Sequence, residues 1–284
     1  MKNDFSNIRC IAFDLDDTVL NAKKELSGRN ADALRRAKEK GLALVPITGR
    51  TFSTIPACIR ELNGVSLAVT SNGAVIYDLR VGERIHELLL PADTVRILVG
   101  SIDRYFREGR LTYEAFVDGV SYAQADYVED PPAFGIPKSA AVYVQQTRHP
   151  VPSVIDFILE HTGCLDSLNL VLKDTRLFPV VEDVIYQSTD NVYITSSISY
   201  RMEISHADSG KVSGLTYVLD RLHLTLEETL AFGDGENDAE MLNAAGIGVA
   251  LQNASASCKA SADYTTKLTS GEDGVADFLE QHIL

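Results

Sequence analysis

The sequence predicts an α/β fold, in which a Rossmann-like parallel sheet is built from both ends of the chain around an inserted α+β domain. Short apolar runs alternate with helical patterns in the first third of the 284 residues, and this alternation returns after residue 210. The region between these two parts instead has predicted strands in which apolar and polar residues alternate only partly. We expect residues 1–80 and 206–284 to form the core and residues 81–205 the inserted domain.

Three strands are predicted in the N-terminal part of the core, at residues 8–13, 42–47 and 67–70. Ser27 is suited to N-cap the helix between the first two strands, and Gly41 to end it. A second helix is expected over about residues 52–62. Pro56 lies early in that segment and predicts a late start or a kink.

The C-terminal part of the core repeats this order. A helix is predicted to begin at Lys211, followed by a strand at 229–232, a helix over about 237–245 that stops at Gly246, and a strand at 247–251. Because the carboxyl ends of parallel strands meet at one edge of a sheet, polar residues that follow these strands should lie together.

In the inserted domain, one helix is expected after Pro91 and another ending at Gly163. Strands are expected at residues 111–117, 140–144, 169–172 and 192–195. Candidate substrate contacts are present here, although packing is the commoner role for such residues; they are Tyr113, Tyr122, Arg176 and Tyr200.

Composition excludes several classes of partner. Asp plus Glu number 40 against 26 Lys plus Arg, a net charge of −14, so we expect no nucleic-acid partner. The four cysteines are scattered without Cys-x-x-Cys spacing and are expected to be reduced thiols. An apolar leader or a membrane-length apolar run is not seen, which favours a cytoplasmic protein without a membrane partner. A monomer and a weak dimer both remain plausible.

Four polar segments are expected at the same edge of the core sheet. Two carboxylates at i and i+2, such as Asp14 and Asp16, repel each other unless a cation or a shared proton intervenes. Taken singly, each segment has a structural explanation: a solvated turn, a helix cap, a surface charge or a calcium loop. Together, their order and placement indicate a catalytic site. The segments are Asp14-Leu15-Asp16-Asp17-Thr18, Thr48-Gly49-Arg50, Lys211 and Gly233-Asp234-Gly235-Glu236-Asn237-Asp238.

With these segments and Ser71-Asn72-Gly73, the sequence resembles the haloacid dehalogenase superfamily of phosphohydrolases, in its Cof-type branch. The resemblance extends over essentially the whole chain. The large insert between the second and third motifs resembles the Cof-type cap, which implies a domain that selects the substrate and closes over it.

The resemblance implies a role for each matching residue. Asp14 would be the nucleophile that forms an aspartyl-phosphate, and Asp16 the proton donor and then the base. Lys211 would offset the charge of Asp14. Mg²⁺ would be held by Asp14, Asp234 and the backbone carbonyl of Asp16, with Asp238 holding a metal-bound water or orienting Lys211. Phosphate or substrate contacts would come from Thr18, Thr48, Gly49, Arg50, Asn72 and Asn237, with Asn253 a further candidate.

The implied activity is Mg²⁺-dependent hydrolysis of small phosphorylated metabolites, such as sugar phosphates or a phosphorylated cofactor. Asp16 favours a phosphatase over a dehalogenase, which needs no proton donor at that position. Two alternatives stay open: a phosphomutase or phosphotransferase of the same superfamily, and a non-catalytic regulator that responds to phosphate.

Overall fold

A computed structural model describes residues 5–284, which divide into two compact units. The first contains the described residues up to Arg50, Ile55–His86 and Gly210–Leu284; the second contains Thr51–Thr54 and Glu87–Ser209. The predicted α/β fold with a parallel-sheet core is confirmed. The first unit extends to His86, beyond the expected joint after residue 80.

Fourteen strands and eleven α-helices are present in residues 5–284. The strands are β1 (Cys10–Phe13), β2 (Ala43–Pro46), β3 (Leu67–Thr70), β4 (Val75–Asp78), β5 (Glu83–Glu87), β6 (Leu111–Val117), β7 (Val120–Gln124), β8 (Arg148–Val151), β9 (Leu165–Leu172), β10 (Val192–Ile198), β11 (Arg201–His206), β12 (Thr229–Gly233), β13 (Ile247–Ala250) and β14 (Tyr264–Thr265). The helices are α1 (Gly28–Glu39), α2 (Ala57–Arg60), α3 (Ala92–Arg107), α4 (Ala125–Glu129), α5 (Lys138–Thr147), α6 (Val154–Glu160), α7 (Phe178–Ser188), α8 (Lys211–Leu222), α9 (Ala239–Ala244), α10 (Ala256–Ala260) and α11 (Gly274–His282). Within this described part of the chain, none of the helices combines the length and the apolar character that a membrane span requires.

The first unit is built on a five-stranded parallel sheet with the strand order β14-β13-β12-β1-β2. Strand β1 is paired on both sides, and all four of its residues are buried. A continuous apolar run suits such a strand, because both sheet faces are covered. Parallel bridges from Leu44 to Val65 and from Ile47 to Val69 bring β3 beside β2. The carboxyl ends of β1, β2, β3 and β12 therefore meet at one edge.

Helices cover both faces of this sheet. Ala12 and Ala231 belong to a cluster with Leu215 of α8 and Met241 of α9. On the opposite face, the ring of Phe232 packs edge-on against Phe278 of α11, with centroids 5.7 Å apart. The alternation of neighbouring side chains in each strand thus directs one set to α8 and α9 and the other to α11.

The helix between β1 and β2 has the predicted ends. The Ser27 hydroxyl accepts a hydrogen bond from the Asn30 amide at 3.0 Å, and Gly41 follows the helix with φ of +91°. The expected late start at Pro56 is also found: Pro56 N-caps α2, which has only four residues, and residues 52–54 form a separate 3₁₀ turn.

The second unit contains a six-stranded sheet with the order β10-β11-β9-β6-β7-β8, antiparallel except between β7 and β8. Tyr113 and Ala115 of β6 face a core cluster formed with α3, α6 and α7. The prediction of a strand at residues 140–144 is wrong, because these residues lie in α5. Ala140 and Val144 pack into one cluster while Val142 is exposed, which is the i, i+4 pattern of a helix.

A buried ion pair lies on the other face of β6. Both carboxylate oxygens of Glu114 accept hydrogen bonds from the Arg148 guanidinium at 2.8 Å. The Tyr127 hydroxyl donates to Glu114 at 2.9 Å, and the Asn169 amide at 3.2 Å. Burial alone raises the pKa of Glu114, but the charge and hydrogen bonds of Arg148 overcome this effect and lower the pKa to about 2.

We expect Glu114→Gln to lower the free energy of unfolding by about 3 kcal/mol, because Arg148 would keep its charge in a buried position without a counter-ion. Chemical denaturation followed by circular dichroism measures this loss. Glu108→Gln is the matched control: Glu108 pairs loosely with Arg110 at an exposed position, so its loss should cost under about 0.5 kcal/mol.

The same ion pair predicts a pH dependence. The pKa of Glu114 is lowered from an ordinary value of 4.5 to about 2, so its stabilising contribution is complete above pH 4.5 and lost as the pH falls toward 2. The stability difference between wild type and Glu114→Gln should therefore shrink over that interval. A difference that stays constant down to pH 2.5 would contradict this assignment.

Candidate active site

Asp14 is the first residue after β1, at the sheet edge where the strands end. Its amide donates to the carbonyl of Phe232 at 3.0 Å, so the pairing of β1 with β12 extends to this residue. Its side chain is almost fully buried. Burial raises the pKa of Asp14 well above its usual range; Lys211 opposes that shift, and Asp238 and Asp234 add to it. An ionised Asp14 therefore depends on a nearby cation.

Lys211 supplies such a cation. The residue opens α8, as predicted, and is 2% exposed. Its Nζ donates to Asp14 Oδ1 and to Asp238 Oδ1, at 2.6 Å in each case. Burial alone lowers the pKa of Lys211, but the two carboxylates outweigh burial and raise it above its ordinary value. The ammonium group is therefore charged and links two segments of the site.

Asp14, Asp234 and Asp238 together could hold a metal ion, since each offers one carboxylate oxygen and these three atoms lie within 4.8 Å of one another. Asp238 is fixed by the amides of Asp234 and Gly235, which both donate to Oδ2 at 2.9 Å. Burial and the charge of Asp238 raise the pKa of Asp234 to about 7. Oxygen ligands of this kind suit Mg²⁺ or Ca²⁺.

Thr18 contacts the three-carboxylate group, although we expected it to contact phosphate. Its hydroxyl donates to Asp234 Oδ1 at 2.6 Å. This bond joins the loop after β1 to the loop after β12. In the structure, Thr18 therefore orients a candidate metal ligand.

The Asp16 carboxylate does not belong to the three-carboxylate group. The Arg50 guanidinium holds it through two hydrogen bonds of 2.7 Å, and Lys24 Nζ lies 3.1 Å from it. Burial raises the pKa of Asp16, but the hydrogen bonds and charges of Arg50 and Lys24 lower it well below its usual range. Asp16 is therefore held as an anion. Its expected part in metal binding was through the backbone carbonyl, and this stays a prediction.

Thr48 and Gly49 lie beyond the carboxyl end of β2, beside β3. The Thr48 amide donates to Val69 at 2.9 Å, and the Thr48 hydroxyl accepts from the Arg50 amide at 3.1 Å. The second helix supplies no backbone amides next to Thr48, because α2 begins only at Ala57. A phosphate contact at this position would use Thr48 itself and the loop amides.

Asn72 and Asn237 meet directly. The Asn237 side-chain nitrogen donates to Asn72 Oδ1 at 3.0 Å, and both residues are buried. Asn72 follows β3, and Asn237 lies in the 3₁₀ turn beside Asp238. The structure therefore brings these two expected phosphate-binding residues together.

Lys24 was not predicted from the sequence. It has φ of +63°, lies in the loop after β1, and contacts Asp17 at 3.0 Å as well as Asp16. A lysine in a polar loop gives no signal of such a position. Asn253, considered as a phosphate contact, instead donates to the carbonyl of Asp17 at 2.8 Å and accepts from the Ser270 amide.

The candidate substrate contacts in the second unit have packing or surface partners. Tyr113 lies in the apolar cluster, and Tyr122 packs on Phe157 with centroids 4.5 Å apart. Arg176 pairs with Asp174 at the surface. Tyr200 packs, partly buried, against the small cluster around Val144.

Known proteins resemble this chain over nearly its full length. The family model of haloacid dehalogenase-like hydrolases matches residues 11–279. Phosphatase YwpJ of Bacillus subtilis is 29% identical, over 98% of this chain and 100% of its own. Pyridoxal phosphate phosphatase YbhA of Escherichia coli is 29% identical, over 97% of this chain and 99% of its own.

A solved structure of a haloacid dehalogenase-like hydrolase from B. subtilis is 28% identical and superposes with a TM-score of 0.80, covering 98% of this chain and 100% of that one. The motifs, the sheet that brings them together and these similarities agree. The chain belongs to the haloacid dehalogenase-like hydrolases, in the Cof-type branch, and is a phosphatase of that superfamily.

Proposed function

We propose that this protein is a Mg²⁺-dependent phosphomonoesterase that hydrolyses small phosphorylated metabolites through an aspartyl-phosphate on Asp14. The observation that supports this most is the buried contact of Lys211 with Asp14, beside two further carboxylates, Asp234 and Asp238. This arrangement supports the proposal, because Lys211 and a divalent cation could both offset the charge of a phosphoryl group beside Asp14.

In the first step, an oxygen of Asp14 attacks phosphorus and forms an Asp–O–P bond. The bond between phosphorus and the substrate ester oxygen breaks, and the leaving oxygen takes its electron pair. Asp16 in its protonated form gives that oxygen a proton, so that an alcohol leaves. Asp16 is ionised while Arg50 and Lys24 hold it, so this step requires Asp16 to turn away from Arg50.

In the second step, water attacks phosphorus while Asp16 accepts its proton. The Asp–O–P bond breaks, inorganic phosphate leaves and the Asp14 carboxylate is restored. Asp16 is thereby protonated for the next turnover. Asp16 is ionised in the structure, as a base must be, but its bonds to Arg50 and Lys24 weaken it as a proton acceptor, so this step also requires Asp16 to turn away from Arg50.

The donor set at the edge of the sheet fits Mg²⁺. Three carboxylates offer oxygens within 4.8 Å of one another, and burial raises the pKa of Asp14 and Asp234, so a cation would relieve their repulsion. A bound Mg²⁺ would offset the negative charge of the phosphoryl group and orient it.

Two features support the substrate class. The chain has a net charge of −14, so an anionic substrate must be attracted by local cations, of which Lys211, Arg50 and Lys24 surround the carboxylates. A relative of similar length is named for pyridoxal phosphate, a phosphorylated cofactor. We infer that the second unit acts as a cap that selects among such metabolites.

We expect Asp14→Asn to lower the rate of phosphate release from an aryl phosphate in Mg²⁺ by at least about 10⁴-fold, because an amide cannot form the acyl phosphate. Colorimetric phosphate detection measures the rate. Asp93→Asn is the control, since the Asp93 side chain is 93% exposed, and it should retain full activity. If Asp14→Asn retains activity in a preparation free of contaminating phosphatases, Asp14 is excluded as the nucleophile.

A second prediction concerns the metal-free protein. The pKa of Asp234 is raised from an ordinary 3.8 to about 7, so the folded state binds more protons than the unfolded state between these values. Stability is therefore lost as the pH rises through this interval. Asp234→Asn removes the charge but keeps an oxygen that can accept from Thr18, so in chelator at pH 8 it should unfold at a higher temperature than wild type.

Addition of Mg²⁺ should reverse this order, because wild type binds the ion more tightly and gains more stability from it. Differential scanning fluorimetry with chelator and with Mg²⁺ gives both comparisons, with Asp93→Asn as the control. Equal shifts in wild type and Asp234→Asn on adding Mg²⁺ would show that Asp234 is not a ligand.

A further inference from the structure

The turn Ser71–Gly73, which follows β3, has an unusual backbone. Three successive residues adopt left-handed conformations, with φ of +48° at Ser71, +52° at Asn72 and +94° at Gly73. The turn is buried, and the Ser71 hydroxyl finds no hydrogen-bond partner within residues 5–284. Left-handed residues other than glycine are costly, and such strain is concentrated at functional sites. The turn therefore needs a reason beyond connecting β3 to β4.

Asn72 contacts three other segments of the site. Its amide donates to the Thr48 carbonyl at 3.1 Å, and its carbonyl accepts from the Gly210 amide at 2.9 Å. Its side-chain oxygen accepts from Asn237 at 3.0 Å. Thr48 begins the second polar segment, Gly210 precedes Lys211, and Asn237 precedes Asp238. One residue thus connects the loop after β2, the start of α8 and the loop after β12.

Close packing prevents the turn from moving independently of α8. A Cβ on Gly73 would lie 2.0 Å from the Gly210 carbonyl oxygen. A Cβ on Gly214, one turn into α8, would lie 2.5 Å from Val69 Cγ1 and 3.0 Å from the Gly73 Cα. The backbone contacts of Asn72 are therefore set by the surrounding structure and do not need its side chain. A glycine at position 72 could preserve them.

The side chain of Asn72 provides what glycine could not. Asn237 is buried at the site, and its amide group has two N–H donors. Asn72 takes one of them, which fixes the plane of the amide and leaves the second N–H for an anionic oxygen. Without that acceptor, the Asn237 amide could rotate or turn its oxygen toward the phosphate.

We propose that Asn72 is a positioning residue that acts through Asn237: its side-chain oxygen fixes the Asn237 amide as a donor to the phosphoryl oxygens. This inference rests on the proposed phosphatase function. It differs from the role expected from the sequence, in which Asn72 itself contacts phosphate.

The test separates the side chain of Asn72 from its backbone. Asn72→Gly keeps the left-handed conformation and removes the carboxamide. We expect kcat/KM for an aryl phosphate to fall about 10- to 100-fold, as for a misplaced binding group, and the inhibition constant of tungstate, a phosphate mimic, to rise in parallel. The unfolding temperature should stay within a few degrees of wild type.

A double-mutant cycle then identifies the partner. Asn237→Ala should produce a loss similar to that of Asn72→Gly, and the double variant should lose no more than about threefold beyond Asn237→Ala, because both changes remove one unit. Losses that multiply in the double variant would show that Asn72 does not act through Asn237. Full kcat/KM in Asn72→Gly would also overturn the proposal.

Two further variants complete the test. His223→Gly replaces another left-handed residue, at the far end of α8, where the side chain is exposed; it should leave both constants unchanged. Asn72→Asp keeps an acceptor oxygen facing Asn237 and should retain kcat/KM within about fivefold of wild type, despite its added charge. If Asn72→Gly fails to fold, Asn72→Asp tests the proposal in its place. A loss of kcat/KM above tenfold in Asn72→Asp would then contradict the proposal.

The outcome for Asn72 can be separated from that for the proposed function. Calorimetry of tungstate binding to the same single and double variants gives the double-mutant cycle without turnover. If wild type binds tungstate but releases no phosphate, the proposed function fails, and non-additive losses of tungstate affinity would still support the positioning role. If wild type is active and Asn72→Gly is equally active, the positioning role fails and the proposed function stands.

Discussion

The contact of Lys211 with Asp14 and Asp238 is the interaction on which the site depends. It joins residues 197 positions apart in the chain and places one ammonium group between two buried carboxylates. Removing one member of a buried ion pair typically costs about 3–5 kcal/mol, a large part of the stability of a domain. The fold and the charge state of Asp14 are therefore coupled, since the same lysine favours the ionised form of Asp14 and joins the start of α8 to the end of β1.

Around this contact, the site is incompletely neutralised. Five carboxylates lie close to three basic side chains. Burial and the charge of Asp238 raise the pKa of Asp234, whereas Arg50 and Lys24 overcome burial and lower the pKa of Asp16. Asp16 lies beside Arg50 and Lys24, whereas Asp234 lies beside Asp238. A divalent cation would enter where the repulsion is greatest. The carboxylates are Asp14, Asp16, Asp17, Asp234 and Asp238, and the basic residues are Lys24, Arg50 and Lys211.

Positioning at this site comes largely from neutral groups. Thr18 orients Asp234, the amides of Asp234 and Gly235 orient Asp238, and Asn72 meets Asn237. Each of these bonds joins a loop to itself or to another loop at the same edge of the sheet. A parallel sheet makes this possible, because it brings the loops to one edge, while short buried hydrogen bonds fix each side chain within the loops.

Local signals in the sequence predicted several elements correctly. Continuous apolar runs predicted β1 and β12, and Ser27 and Gly41 marked the ends of α1. The acidic residues after the strands indicated a catalytic site, and the family resemblance that they carry implied which of them would be metal ligands. Local signals failed where two periods fit equally well: the run around Val142 fits a strand as well as a helix, and only packing of Ala140 with Val144 decides between them. The tertiary structure also decided that Thr18 and Asn72 contact Asp234 and Asn237, and that Lys24 reaches Asp16. The partners of Thr18 and Asn72 are distant in the chain, and any side-chain contact depends on three-dimensional position to within an ångström, which the order of residues does not specify.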